Sequence, residues 1–295
     1  MRIKLIVEFD GTEYAGWQRQ NNAVTVQQRL EEALERLFGS PLCVQGASRT
    51  DAGVHAAGMV CHFDIETKMP SERIAYALNF TLPKDIRVKE SSRVSDTFHA
   101  RFDAKAKWYR YTIYNHKHAS ALNRRMVAHV PYALDPLKMQ RALCTLLGRH
   151  DFAAFAASGS VVKDTTREIY FAQLQKCGDL LVLDIVGSGF LYNMVRIIAG
   201  TLIDIGRGKL QTDAFAKMLR TKERIQGGIT APPQGLVLQR VYYGAPPSYE
   251  QYLCEKSLLD GVFPHKIGLF LKFWLTENLR LDKIYKRCFA PLAPE

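Results

Sequence analysis

The chain has 295 residues, of which 47% are hydrophobic and 23% charged, and this composition is typical of a globular protein with one or two domains. Lys and Arg number 40 against 29 Asp and Glu, so the net charge of +11 favours a polyanionic partner, nucleic acid first and an anionic membrane surface second. The longest late apolar run, residues 267–275, is interrupted by Lys272 and is too short to span a bilayer, which takes about 20 residues.

The six cysteines are scattered along the chain and form no C-x-x-C motif. No Cys/His pair has the spacing of metal ligands, and no phosphate-binding loop or dinucleotide fingerprint is present. We therefore expect neither a metal nor a cofactor. Scattered thiols predict reduced cysteines and a cytoplasmic protein, and a strand pattern directly after Met1 predicts that there is no signal peptide.

The first half has the predicted order β-α-β-β-α-β. Alternating hydrophobicity indicates its strands, and helical spacing with capping residues indicates its helices. Thr25 and Gln28 predict a capping box before a helix that ends at Gly39. The predicted strands are residues 3–9, 42–47, 58–65 and 86–94, and a second helix follows Ser71.

The second half repeats this order. Asp135 and Pro136 predict the start of a helix that runs to Gly148. A hairpin turns at Gly178 and Asp179. The predicted strands are residues 107–114, 166–177, 180–187 and 236–243, and further helices cover 191–205 and 212–219.

Two β-α-β-β-α-β units predict an α+β fold made of two ferredoxin-like halves. Such halves join into an antiparallel or mixed sheet with helices on one face. We expect the first half at residues 1–103 and the second at 104–245. An extra C-terminal tail, 246–295, follows the break at Pro246 and Pro247, and a helix over 267–286 is plausible there.

A basic and aromatic segment joins the two halves. From Arg87 to Arg125 the chain has ten Lys/Arg and three Asp/Glu, with six Phe, Tyr and Trp residues interleaved. Such a pattern suits neutralisation of a nucleic-acid backbone together with base stacking. A solvated basic face with its aromatic residues in the core explains the charge pattern equally well.

The stretch from Ser48 to Ala56 is the most informative in the chain. It places Asp51 between Arg49 and a small turn that contains Gly53. A carboxylate on an open loop can act as a covalent nucleophile, although Asp and Gly are also common in ordinary turns. The rest of the chain decides between these two interpretations.

Four motifs, in order along the chain, resemble those of the tRNA pseudouridine synthase A family. Two positions depart from the family pattern, because Ser48 stands where Gly is usual and Lys107 where Arg is common. The motifs are Phe9-Asp10-Gly11-Thr12 with Tyr14, Gly16-Trp17-Gln18 and Gln20; Arg49 to Ala56; Phe98 to Phe102 with Trp108 to Tyr111; and Gly189 to Arg196.

The resemblance implies a pseudouridine synthase fold, with the two halves sharing a mainly antiparallel sheet and a basic cleft between them. It also implies an isomerase that converts uridine to pseudouridine at positions 38, 39 and 40 of the tRNA anticodon stem-loop, without a cofactor. A homodimer in which one tRNA spans both subunits belongs to the same expectation.

The resemblance also assigns the candidate catalytic residues. Asp51 is the nucleophile, which attacks either the uracil ring or the ribose anomeric carbon. Tyr109 stacks on the uracil, and its phenol is suited to assist proton transfer. Arg196 stands in an apolar helical stretch, where a buried cation needs a partner. We expect it to pair with Asp51. The alternative is that its side chain extends to the surface and keeps the charge in water.

Further basic residues are candidates for contacts with the RNA. Arg49 is expected to replace the flipped base or to hold a phosphate. The expected phosphate contacts are Arg101, Lys105, Lys107, Arg110, Arg124 and Arg125.

Three other functions are weighed against this one. They are a catalytically silent RNA-binding or RNA-folding protein on the same scaffold, a synthase with other or broader RNA targets, and an aspartate-based metal nuclease. The nuclease is the weakest of these, because no second carboxylate has a spacing suited to sharing a divalent ion with Asp51.

Overall fold

The computed structural model describes residues 1–157, 162, 164–247 and 251–252. The helices are α1 (Val26–Phe38), α2 (Ser71–Thr81), α3 (Pro136–Leu143), α4 (Met194–Gly206) and α5 (Ala214–Thr221). The strands are β1 (Arg2–Phe9), β2 (Gln45–Gly46), β3 (His55–Asp64), β4 (Ile86–Val94), β5 (Ala106–Tyr114), β6 (Ala128–His129), β7 (Gly148–Asp151), β8 (Thr166–Cys177), β9 (Leu180–Gly187) and β10 (Leu236–Tyr242).

The chain divides into two compact units. The first contains Met1–Arg110 and Pro233–Gly244, and the second contains Tyr111–Pro232 and the residues from Ala245 on. Strand β10 thus belongs to the first unit although it comes last in the chain. The sequence-based division into 1–103 and 104–245 stays a prediction.

The first unit has the strand order β4-β1-β3-β10. Strand β1 is antiparallel to both β3 and β4, and β10 is parallel to β3. Ile3, Leu5 and Val7 are fully buried, whereas Lys4 and Ile6 on the opposite face are only half-buried. This period of two confirms the predicted strand.

The second unit contains the strand order β9-β8-β7, in which both pairs are antiparallel, and its short strand β6 is parallel to the end of β5 at Ile113 and Tyr114. Helix α4 is its most apolar helix, and Ile197, Ile198 and Leu202 are completely buried. Together the two units give an α+β fold in which strand pairing is mostly antiparallel, as predicted.

Several predicted elements differ in detail. The strand predicted at 42–47 is only the two residues Gln45–Gly46. The helix predicted to reach Gly148 ends at Leu143, and Gly148–Asp151 instead forms the short strand β7 against β8. No element is predicted for residues 149–151, because so short a segment shows no periodicity, and pairing with the long strand β8 makes them extended.

The predicted capping box is half correct. Thr25 accepts a hydrogen bond from the Gln28 backbone N–H at 3.3 Å. The Gln28 side chain donates to Glu32 rather than returning to the cap. The cap therefore satisfies one terminal N–H of α1 instead of two.

The cysteines and the tail add two findings. Cys43, Cys61 and Cys177 are free thiols, but Cys144 is disulfide-bonded, so the expectation of fully reduced cysteines is wrong.

The predicted helix at 267–286, like most of the tail, lies outside the described residues. Tyr252 at the start of the tail is buried; its hydroxyl donates to Asp184 at 3.0 Å, and its ring lies 5.2 Å from that of Phe171.

Candidate active site

Asp51 lies in the loop between β2 and β3, and its side chain is half-buried. Backbone hydrogen bonds hold the loop on both sides of this residue. Trp17 N–H donates to Thr50 O at 3.1 Å, Gly53 N–H donates to Tyr14 O at 3.2 Å, and Val54 N–H closes a turn onto Asp51 O. The segment between β1 and α1 thus holds the Asp51 loop in place through backbone hydrogen bonds.

Glycines make this close approach possible. A Cβ added at Gly16, where φ is +87°, would collide with the carbonyl oxygen of Thr50. A Cβ at Gly11 would collide in the same way with Val54 O. At Gly16 only glycine accepts both the positive φ and the contact, and at Gly11 only glycine accepts the contact. This explains how the motif at residues 9–20 lies against the distant motif around Asp51.

Tyr109 projects from β5 and is 6% exposed. Its hydroxyl lies 2.9 Å from the Ser48 hydroxyl, so that the two share a hydrogen bond. Burial raises the pKa of Tyr109 to about 12, and the negative charge of Asp51 acts in the same direction, whereas the bond to Ser48 lowers it. The phenol therefore keeps its proton at neutral pH and can donate a hydrogen bond.

His55 follows the Asp51 loop and has a structural role. Its ring is buried, and its Nδ1 accepts the Gly11 N–H at 3.0 Å. Asp10 Oδ1 lies 3.1 Å from the same nitrogen. The buried ring of His55 therefore links the end of the Asp51 loop to residues 10 and 11.

Arg196 lies in the first turn of α4, in the second unit, and is half-buried. Its Nε donates to Ala231 O at 2.8 Å, and its Nη1 donates to Asn193 Oδ1 at 2.6 Å. Ala231 N–H in turn donates to Arg196 O. Two of the five guanidinium donors are thereby used to orient the group.

Two residues at the site were not recognised as functional from the sequence. Asn193 has φ of +60°, one of two non-glycine residues with positive φ among the described residues, and this conformation directs its amide oxygen onto Arg196. Ser48 was noted as a departure from the family pattern, but its bond to Tyr109 was not foreseen. A hydroxyl next to a motif is a weak signal, because only the fold shows what it reaches.

The predicted RNA-contacting residues fall into two groups. Arg49, Arg101 and Lys105 are exposed. Lys107 and Arg110 are half-buried and make contacts within the first unit. Lys107 Nζ donates to Ala47 O at 2.8 Å, just before the Asp51 loop, and the Arg110 guanidinium lies over the Trp108 ring at 5.5 Å.

The arrangement in the first unit brings together a half-buried carboxylate, a protonated phenol and a loop that glycine contacts hold in place. This set can supply a nucleophile, an acid and an aromatic surface. No group of three or more metal-ligating side chains occurs in the described part of the chain. No helix there is long and apolar enough to cross a membrane.

Comparison with known proteins gives the family. The sequence profile described as "tRNA pseudouridine synthase" matches residues 5–103 and 142–244. A tRNA pseudouridine synthase A from Acetivibrio thermocellus is 48% identical over 241 residues, covering 82% of this chain and 99% of the relative. One from Geobacter sp. strain M21 is 49% identical over 242 residues, covering 82% and 98%.

The fold and the Asp51 loop define a pseudouridine synthase, an enzyme of the isomerase class. The profile and the relatives make the assignment specific: the chain belongs to the tRNA pseudouridine synthase family. The relatives match the body of the chain, and the last residue of the profile match is Gly244.

Proposed function

We propose that this protein isomerises uridine to pseudouridine at positions 38, 39 and 40 of the tRNA anticodon stem-loop. The observation that carries the proposal is the Asp51 loop, held by backbone contacts at Thr50 and Gly53, with Ser48 just before it bonded to the buried phenol of Tyr109. The reaction breaks the bond from C1′ to N1 and forms one from C1′ to C5. A proton leaves C5, one is taken up at N1, and no electrons are exchanged.

Asp51 is the nucleophile of this proposal, and attack on C1′ of the ribose or on the uracil ring both remain open. Tyr109 offers its ring to the uracil and its retained proton to the chemistry. Arg196, whose guanidinium is oriented by Asn193 and Ala231, pairs with Asp51 and keeps the carboxylate ionised, as a neighbouring cation does.

The remaining parts of the proposal concern binding. Arg49 fills the place of the flipped base or holds its phosphate, at a step that costs a few kcal/mol of lost stacking. Arg101, Lys105, Lys107 and Arg110 contact phosphates, with Arg124 and Arg125 in the second unit. The net charge of +11 supports such contacts. A homodimer working in the cytoplasm completes the proposal and rests on the family resemblance.

Tritium release tests the function and the target sites together. Transcripts of tRNA labelled with tritium at uridine C5 lose the label when C5 becomes bonded to C1′. We expect release from a transcript with uridine at 38, 39 or 40, and none when all three are replaced by cytidine. Chelator should change neither result. Binding of every transcript without any release would instead indicate the catalytically silent RNA-binding protein.

The proposed pair is tested with Arg196. Arg196→Ala should reduce kcat by at least about a hundredfold, because it leaves the Asp51 carboxylate without its cationic partner, at a cost of about 3 kcal/mol. Arg196→Lys should retain part of the activity. Arg220→Ala, a change at an arginine of α5, is the matched control and should leave kcat unchanged. Equal kcat for Arg196→Ala and Arg220→Ala would remove Arg196 from the proposal.

A further inference from the structure

A strongly exposed aromatic ring stands on the loop between β4 and β5. Phe102 is 73% exposed, although the first unit has a large core in which Phe63 is 1% exposed. A single exposed apolar residue is common on protein surfaces, so exposure alone assigns no role to this ring. We therefore asked what holds Phe102 in place.

The loop around Phe102 is fixed by its own hydrogen bonds. His99 N–H donates to Asp103 Oδ2 at 2.7 Å, and Asp103 N–H returns to His99 O at 3.1 Å. His99 Nδ1 accepts the backbone N–H groups of Arg101 and Phe102 at 3.1 and 3.3 Å. One short helical turn therefore presents Phe102 in a single conformation.

The same turn is anchored to the sheet. Ala100 N–H donates to His62 Nδ1 on β3 at 3.2 Å, and its carbonyl accepts the Tyr243 hydroxyl at 2.8 Å. Ala100 itself is completely buried. The base of the loop is thus part of the folded core, and Phe102 does not need ordering when a ligand binds, which lowers the entropic cost of binding.

Three rings lie in a row that ends at the surface, with Phe102 tilted against His99 and His99 edge-on to His62. The Phe102 and His99 rings lie 4.2 Å apart at 33°, and the His99 and His62 rings lie 4.9 Å apart at 67°. The Arg101 guanidinium lies 5.8 Å from the centre of the Phe102 ring. His99 supports one side of Phe102, so that the rest of the ring is offered to solvent beside a cation.

This surface fits a nucleobase better than a phosphate. Asp103 accepts from His99 N–H beside the rings, and its charge disfavours a phosphate directly on the Phe102 ring, so the phosphate contact proposed for Arg101 belongs beside the ring rather than on it. A base, in contrast, is neutral, and every base can stack on an aromatic face. Unpaired RNA bases are the ones available for such stacking.

The ring row lies towards the opposite end of β3 from the catalytic loop. Strand β3 starts at His55, just after that loop, and His62 is seven residues further along, which corresponds to about 24 Å of extended chain. A ligand that contacts both ends of this strand must be extended, as a tRNA is.

We propose that Phe102, supported by His99, is a stacking platform for an unpaired base of the tRNA, remote from the uridine being isomerised. The inference rests on the proposed tRNA substrate. We expect the stacked base to bind equally in the ground state and the transition state, so that loss of the platform raises KM and leaves kcat unchanged.

Binding of an unmodified full-length tRNA transcript tests the platform, measured in the Asp51→Ala background so that no turnover occurs. Phe102→Ala should raise the Kd at least about fivefold, as expected for the loss of one stacked base. Phe80→Ala is the matched control, because Phe80 is 92% exposed on α2 and has no ring stack among the described residues; it should leave the Kd unchanged.

Fluorescence provides a test that does not depend on how Phe102→Ala folds. In Phe102→Trp the added indole should be quenched when the tRNA transcript binds, whereas the emission added by Phe80→Trp should not change. Unchanged affinity of the Phe102→Ala protein, or an unquenched indole at position 102, would overturn the platform.

The failures of the two proposals can be told apart. Neither binding nor quenching requires product, so a protein that forms no pseudouridine but binds through Phe102 contradicts only the catalytic proposal. A protein that isomerises tRNA with the same KM before and after Phe102→Ala contradicts only the platform.

Discussion

The two ends of strand β3 hold their loops by different means. At the His55 end, the Asp51 loop is fixed by backbone groups that approach closely at Gly11 and Gly16. At the His62 end, the loop that carries Phe102 is fixed by side chains, through histidine nitrogens and stacked rings. The difference predicts that the first end is sensitive to added volume and the second to loss of polar atoms or to their protonation.

Gly16→Ala should have the largest effect on the free energy of unfolding. The new methyl group meets Thr50 O at a backbone conformation that L-residues avoid, and we expect a loss of about 2–4 kcal/mol in the free energy of unfolding. Displacement of the Asp51 loop by about 1 Å should also reduce kcat by about a hundredfold. Chemical denaturation and tritium release measure the two effects.

Gly39→Ala is the control for Gly16→Ala. Gly39 also has positive φ, at +75°, but nothing lies within 4 Å of an added Cβ. The Gly39→Ala variant should therefore lose only about 1–2 kcal/mol in the free energy of unfolding and keep the wild-type kcat. Similar kcat losses in both variants would show that the close contact at Thr50 is unimportant.

Asn193→Gly extends the comparison to the second unit, where Arg196 is held by polar atoms. Glycine keeps the positive φ and removes the amide oxygen that accepts from Arg196 at 2.6 Å. A hydrogen bond to a charged group is worth about 1.5–3 kcal/mol, so kcat/KM should fall at least about tenfold. Lys222→Gly, at the other described non-glycine residue with positive φ, should have no such effect, and equal values for the two variants would contradict a positioning role.

Ser48→Ala should have a smaller effect on activity. It removes the hydroxyl that lies 2.9 Å from that of Tyr109, and a neutral hydrogen bond contributes about 1 kcal/mol, or a few-fold in kcat/KM. In a double-mutant cycle with Tyr109→Phe, the effect of Ser48→Ala should disappear. If Ser48→Ala is equally costly in both backgrounds, the bond does not explain the role of Ser48.

Substitution of His62 should give the smallest change in the free energy of unfolding at neutral pH. Burial, with Arg2 and His99 nearby, lowers the pKa of His62 to about 4, against the opposing charges of Asp64 and Asp103. The unfolded chain, with a histidine pKa of about 6.5, therefore takes up the proton first. The stability that His62 contributes is present above pH 6.5 and is lost as the pH falls towards 4.

Denaturation at several pH values tests this linkage. His62→Gln keeps an acceptor for Ala100 N–H and removes the titration, so its free energy of unfolding should fall less steeply between pH 6.5 and 4 than that of the wild type. His118→Gln, at an exposed histidine, should follow the wild-type slope. Parallel slopes for wild type and His62→Gln would contradict the shifted pKa.

The sequence predicted what depends on local pattern. Alternation in Ile3, Leu5 and Val7 is visible without a fold, and so are the cap at Thr25 and the motif around Asp51. Residues 148–151 could not be assigned, because their extended form depends on pairing with β8. Strand β7 shows that pairing with a neighbouring strand determines the secondary structure of a short polar segment.

The sequence proposes the site by residue type, and Asp51 and Tyr109 stay predictions. Their surroundings could not be predicted, because the reason for Gly16 is the distant Thr50 carbonyl, and the oxygen that orients Arg196 belongs to a residue in an uncommon conformation. Phe102 looked like one more aromatic in a basic segment, because exposure cannot be read from a pattern of aromatics and cations.

The most direct test of the account is tritium release by Asp51 variants, with tRNA affinity measured on the same preparations. Asp51→Ala and Asp51→Asn should bind the transcript as wild type does and release no tritium, since each lacks the carboxylate nucleophile. Asp179→Ala, in the exposed hairpin turn, should be fully active. Release by Asp51→Ala at a rate near that of wild type would contradict the account.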